Sequence, residues 1–202
     1  ANPMKTKQSS LSEIADVRIG LTLRGQDASK QTDEGGLHLL RIGDISESGS
    51  IDIETPHPIK VTKSMERFRV LPGDLVVANR GTRMTAAVVG DEIDAVAGGQ
   101  IYIVRTERNK VLPEFLWWFL NRPSTQQFLR LRARGSYVKT IPVQVLREEL
   151  EVPVPPLEVQ KLVVELAMLT QREQKLISQI AELKRSYIDS VLGDLVNQKI
   201  SE

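Results

Sequence analysis

Apolar residues in the last fifth of the chain recur every three or four positions. Leu162, Leu166, Leu169, Leu176, Ile180, Leu183 and Tyr187 form the ladder, with Glu173 as its single charged rung. A ladder averaging 3.5 residues is a coiled-coil seam, so it predicts a long helix that packs against another long helix. Pro156 suits a first helical position, and Glu158 complements the positive end of the helix dipole. The pattern predicts a helix from Pro156 to about Leu192, roughly 55 Å long at 1.5 Å per residue. Gly193 is the expected stop. No second helix of this kind is legible, so the seam predicts a partner.

The rest of the chain reads as short strands and turns interrupted by two helices. Leu37–Ile42 is a compact apolar stretch ending at Gly43-Asp44, a strand followed by a turn. Ile51–Ile59 alternates but carries Pro56 and Pro58, which makes it an edge segment or a loop. Leu71-Pro72-Gly73-Asp74 is a turn feeding Leu75–Ala78, four apolar residues suited to a buried strand. Ala86–Val89 and Ile101–Val104 are further strands, separated by Gly98-Gly99. Pro113 opens a helix through Leu120 that is apolar all round and is expected in the core. Pro123 opens a second, ending near Gly135. Leu150–Val154 is extended. The expected class is α+β: a β-rich globular domain with buried helices over 5–153, then one long C-terminal coiled-coil helix over 154–195. Ala1–Pro3 are read as residues added ahead of a natural start at Met4.

Composition removes several chemistries. The chain has no cysteine, which excludes disulfides, thiolate catalysis and Cys-type zinc sites. Its two histidines, His38 and His57, are too few for a multi-histidine metal site. No metal and no cofactor is expected. There is no apolar run long enough for a membrane span and no apolar signal-peptide core, and the expected location is cytoplasmic.

Net charge is +1, but its distribution is uneven. Asp27–Glu54 holds seven acids and two bases. Lys60–Arg83 holds six bases, Lys60 and Lys63 among them, against Glu66 and Asp74. Arg122–Arg147 holds six bases and no acid. Positive charge gathered this way can neutralise phosphates and steer a polyanion.

Catalytic signatures are missing. There is no Gly-x-x-x-x-Gly-Lys-Ser/Thr loop, no Gly-x-Gly-x-x-Gly after a strand, and no Asn-Pro-Pro-Tyr tetrapeptide. Asp44, Asp74, Asp91 and Asp94 lie near turns, where Asp serves backbone hydrogen bonds. His38, inside an apolar run, reads as a core or rim residue.

Two basic loops are the candidate binding surface. Asn79, Arg80, Gly81, Thr82 and Arg83 follow the strongest strand. Gly81 permits close approach to a ligand, Arg can bond a guanine edge, Asn an adenine, and Thr a base or phosphate. Arg130, Arg132, Arg134, Ser136, Tyr137 and Lys139 form the second. Its Arg residues can hold phosphates and its Tyr can stack or line a groove wall. The alternating spacing of Arg130, Arg132 and Arg134 cannot put all three on one helix face.

The chain resembles the specificity subunit of type I restriction-modification systems, as one target-recognition domain plus one long helix. The resemblance rests on Leu11-Ser12-Glu13-Ile14-Ala15-Asp16, Leu40-Arg41-Ile42-Gly43-Asp44-Ile45, Pro72-Gly73-Asp74-Leu75-Val76-Val77, Arg80-Gly81-Thr82, Gly135-Ser136 and Val152–Gln160. The Pro-Pro-Leu-Glu-x-Gln helix start is the most specific of these. The resemblance implies a non-catalytic protein that reads double-stranded DNA through loops. It also implies that methyltransferase subunits clamp the helix and that a motor-nuclease subunit joins for restriction. The family's usual subunit carries two recognition domains and two helices, so one of each implies a half-subunit or a fragment. As a half-subunit the chain would pair its seam with that of a second copy, antiparallel, and read an interrupted palindrome. The competing readings are a protein-interaction scaffold and a self-sufficient nuclease.

Overall fold

In a computed structural model the residues described are 7–23, 36–60, 62–81 and 84–200, the last four by backbone alone. They fall into two compact units, one ending at Lys161 and one beginning at Leu162. The elements in chain order are β1 (Lys7–Ser10), α1 (Leu11–Ile14), β2 (Ala15–Ile19), β3 (Leu37–Leu40), β4 (Pro58–Ile59), β5 (Leu75–Ala78), β6 (Ala86–Val88), β7 (Ala95–Ala97), β8 (Ile101–Thr106), α2 (Pro113–Asn121), α3 (Pro123–Arg132), β9 (Glu151–Val154) and α4 (Leu157–Ile200). This is the α+β, β-rich unit with a long C-terminal helix that the pattern predicts.

Three sheets build the first unit. An antiparallel sheet runs in the order β2-β8-β5-β6, a second runs β4-β3-β7, and β1 pairs with β9. All four residues of β5 are buried, as its unbroken apolar run requires. In β3, alternation sends successive side chains to opposite faces. Leu40 joins Val76, Ala87, Ile101 and Ile103 against the four-stranded sheet. Leu39 joins Leu21, Ile59, Met65 and Val96 on the other side. Both faces of the three-stranded sheet are thus buried, and β3 and β7 lie parallel within it.

Two turns with the same chemistry shape this unit. The Asp44 carboxylate accepts the Arg41 N–H at 2.7 Å, and the Asp74 carboxylate accepts the Leu71 N–H at 2.9 Å. Each aspartate closes its own Gly-Asp turn three residues back. A third local device is at α1, where the Ser10 N–H donates to Glu13 at 2.9 Å, half of a capping box.

The helices depart from the sequence reading in three places. α2 buries Phe115, Leu116, Phe119 and Leu120, but Trp117 and Trp118 are only half-buried. Trp117 spends its indole N–H on the Gly49 carbonyl at 3.0 Å, and Trp118 lies beneath Arg122. α3 stops at Arg132, before Gly135. α4 continues through Gly193 to Ile200. A glycine inside a helix costs only about 1 kcal/mol relative to alanine, which good helix formers on both sides offset.

In the second unit the seven seam residues are all exposed, as are Ile177, Ile188, Val191 and Leu195. The start of α4 belongs to the first unit, where Gln160 is fully buried. Its amide donates to the carbonyls of Lys110 (2.9 Å) and Pro155 (2.8 Å) and accepts the Leu112 N–H (2.9 Å). No helix among the described residues is long and apolar enough to cross a membrane.

Candidate nucleic-acid interface

The two basic loops, far apart in sequence, are stitched into one surface by backbone hydrogen bonds. The Asn79 N–H donates to Gln100 (3.0 Å), Ile141 N–H to Asn79 (2.8 Å), and Gly81 N–H to Lys139 (3.0 Å). Arg134 and Thr140 exchange two bonds, both 2.8 Å. Thr140 therefore sits between Arg80 and Arg134, paired antiparallel with each. Directly paired residues project to the same side of a ladder, so Arg80 and Arg134 share one face. Two strand spacings put their backbones roughly 10 Å apart.

Gly135 makes the hairpin possible. Its φ of +117° lies in the region that favours glycine, and an added Cβ would stand 2.4 Å from the Val138 carbonyl oxygen. It therefore turns the chain after α3 and does not cap the helix. The loop it opens carries Ser136, Tyr137 and Lys139 outward, all exposed. Tyr137 is 98% exposed, so its ring is free to stack.

Beside this surface is a cleft of about 480 Å³ lined by Leu23, Arg41, Ile42, Arg80, Gly98 and Gln100. The parallel register of β3 and β7 explains it. Both strands end at the same edge, so Arg41 after β3 and the Gly98–Gln100 turn after β7 arrive together. Among the described residues Arg41, Arg80, Arg134 and Lys139 have no ion pair. By contrast Arg18, Arg69 and Arg105 pair with Asp16, Asp94 and Asp74. Unneutralised cations at one edge raise the local potential and favour a polyanion. The sequence singled out neither Arg41 nor Gln100 as a contact, because only strand register brings them beside Arg80.

Several expected contacts are elsewhere. Arg132 is an ion-pair partner of Glu149 (2.9 Å) and lies 3.6 Å over the Phe128 ring, so both its charge and its planar face are engaged. Asn79 is 5% exposed and its amide donates to Gly99 at 3.2 Å, so it braces the loop. Lys60 follows β4, whose Ile59 pairs with Leu37 at the opposite end of β3 from Arg41. Lys63 is in the turn beyond it, so neither lysine joins the cleft. Thr82 and Arg83 lie outside the described residues.

The turn carboxylates and the histidine are committed to structure. Asp74 is 2% exposed and receives a bidentate bond from Arg105, 2.7 Å at each oxygen. The hydrogen bond to Asp74 holds the Arg105 pKa above its ordinary value. His38 lies 2.9 Å from Asp44 through Nε2 and accepts the His57 N–H at Nδ1. That fixes its Nε2-protonated tautomer and leaves no ring nitrogen free. Tyr102 donates to the Ile141 carbonyl beneath the loop. Burial raises its phenol pKa, partly opposed by the charge of Arg147.

No protein-family model matches the chain, and no curated protein is detectably similar in sequence. Solved structures share its fold. A chain from a structure of the type I R-M system, described for its complex assembly and conformational transition, aligns at a TM-score of 0.64 and 22% identity over 94% of this chain. The HsdS subunit from Thermoanaerobacter tengcongensis aligns at 0.59 and 19% over 92%. The type I restriction-modification S subunit from M. genitalium aligns at 0.58 and 14% over 92%. The chain spans about two-fifths of the length of each, 43%, 40% and 44%. It therefore has the fold seen in type I S subunits across more than nine-tenths of its length.

Proposed function

We propose that the chain is a DNA sequence-specificity module of a type I restriction-modification or methyltransferase complex. One observation carries the reading. Arg80, Arg134 and the Tyr137–Lys139 loop meet the Arg41–Gln100 cleft on a single surface, in a fold shared with S subunits. Cations without ion-pair partners among the described residues and an exposed ring suit phosphate holding and stacking, while Arg and Gln suit base edges. The module reads one half-site and catalyses nothing itself. Its long helix serves as spacer and as docking site for the methyltransferase subunit, which a motor-nuclease subunit joins for restriction. A second copy pairs with it through α4, giving a two-fold symmetric, interrupted target. The complex works in the cytoplasm.

The test is selection of duplex DNA from a random pool by the full chain with a methyltransferase subunit, followed by binding to the selected site across salt concentrations. About four phosphate contacts give log K a slope near −3.6 against log salt. Enrichment of one sequence with such a slope is expected. Binding that neither enriches a sequence nor depends on salt overturns the proposal and favours a protein-interaction scaffold. Cleavage of DNA with magnesium alone favours a nuclease.

A further inference from the structure

The exposed apolar positions of α4 fit an eleven-residue repeat better than a seven-residue one. The heptad ladder ends at Tyr187, because its next rungs are Ser190 and Asp194. Steps of four, three and four instead give Leu162, Leu166, Leu169, Glu173, Ile177, Ile180, Lys184, Ile188, Val191 and Leu195. This set runs from Leu162 to Leu195 and is exposed at every position. Eleven residues in three turns is 3.67 per turn, the period of nearly straight helices or a slight right-handed supercoil. Leu176, Leu183 and Tyr187 fall on its flank.

The repeat has a second property. Read from its two ends it is chemically symmetric about the Ser178–Gln179 peptide. Leu162 matches Leu195, Leu166 matches Val191, Leu169 matches Ile188, and Ile177 matches Ile180. The two charged rungs, Glu173 and Lys184, match each other with opposite sign. The inference rests on the antiparallel dimer reading above: from this symmetry we infer its register, the one that sets Glu173 against Lys184 of the partner subunit.

Charge decides among the arrangements. A parallel, in-register pair opposes Glu173 to its own copy and Lys184 to its own copy, two like-charge contacts within an apolar seam. A parallel pair staggered by one repeat makes the Glu–Lys contact once and leaves each end open to another chain, which builds filaments. The antiparallel register makes the contact twice, closes on itself and leaves every apolar rung facing another. The heptad register places Glu173 against Leu176 of the partner subunit, beside its own two-fold mate, with no cation on the seam.

The chain lacks cysteine, so single substitutions report contacts cleanly. L166C and V191C lie about 38 Å apart along one helix, too far to join within a chain. Oxidising an equimolar mixture of the two variants should give a disulfide-linked dimer, while each alone should give none. Linkage of L166C to itself overturns the orientation. A dimer by light scattering whose mixture does not link overturns the register and leaves the dimer standing. A monomer across the micromolar range overturns both. E173K and K184E should each weaken dimerisation at least tenfold, and E173K/K184E together should recover most of the loss. Singles that leave the dimer unchanged or tighten it overturn the pairing.

Discussion

Gln160 ends the Pro-Pro-Leu-Glu-x-Gln sequence, and its burial gives that motif a measurable role. Gln160→Ala removes the amide that bonds Lys110, Pro155 and Leu112 while leaving all three backbone groups in place. Each bond has a net worth of about 1 kcal/mol, so the truncation should cost about 3 kcal/mol. Partial solvation of Leu112, which is only half-buried, limits the further penalty for its stranded N–H. With a urea slope of about 2 kcal/mol per molar for a unit of this size, the unfolding midpoint should fall by about 1.5 M. Both tryptophans are in α2 of the same unit, so their fluorescence reports the transition. A shift below about 0.3 M would refute the idea that this side chain fastens the helix start. Gln160→Glu sharpens the test. It keeps the acceptor for Leu112 but turns a carboxylate towards two carbonyl oxygens, which raises the introduced group's folded pKa. The unfolded chain then releases that proton first, so stability should fall as pH rises through about 4.3, the ordinary glutamate value.

Four further substitutions have expected outcomes. Tyr102→Phe should lose about 1 kcal/mol at neutral pH with the bond to Ile141. It should also remove the wild-type loss of stability above pH 10, where the unfolded tyrosine ionises before the buried one; thermal melts from pH 8 to 11 check both. Asp74→Asn should destabilise the first unit by about 2 kcal/mol in urea titrations, below the usual cost of breaking a buried pair because the Arg105 side chain is 35% exposed. Arg80→Ala should weaken binding to the selected DNA by about 1–3 kcal/mol, at one base pair for an edge contact or uniformly for a phosphate contact. Arg132→Ala should change it less than twofold, and equal losses for the two would refute the assignment of Arg132 to its Glu149 pair.

Elements specified by a local pattern were legible along the chain. The buried strand at Leu75–Ala78 was one, because a short unbroken apolar run bounded by a Gly-Asp turn suits a strand covered on both faces. The starts of α2 and α3 were legible because proline is tolerated only where its missing N–H has no partner to lose. The long helix was legible because its apolar residues repeat over many turns, although one glycine proved too weak a signal to end it. The segments that carry the family likeness turn out to be such local devices as well, including a capping box, two Asp-closed turns and a buried glutamine. They specify how the scaffold turns and where the long helix is fastened. The candidate site is different. Arg80 and Arg134 were legible as residue types, but nothing along the chain says that Thr140 stands between them or that Arg132 faces Glu149. Arg41 and Gln100 were invisible as contacts, because strand pairing at long sequence separation, in this case the parallel register of β3 and β7, is what brings them together. Lys60 lies away from the cleft for the same reason: strand pairing decides which end of a sheet a charge occupies. Residue chemistry and period are written locally in the chain, whereas the company each side chain keeps depends on how distant segments pack, and it exists only once the chain has folded.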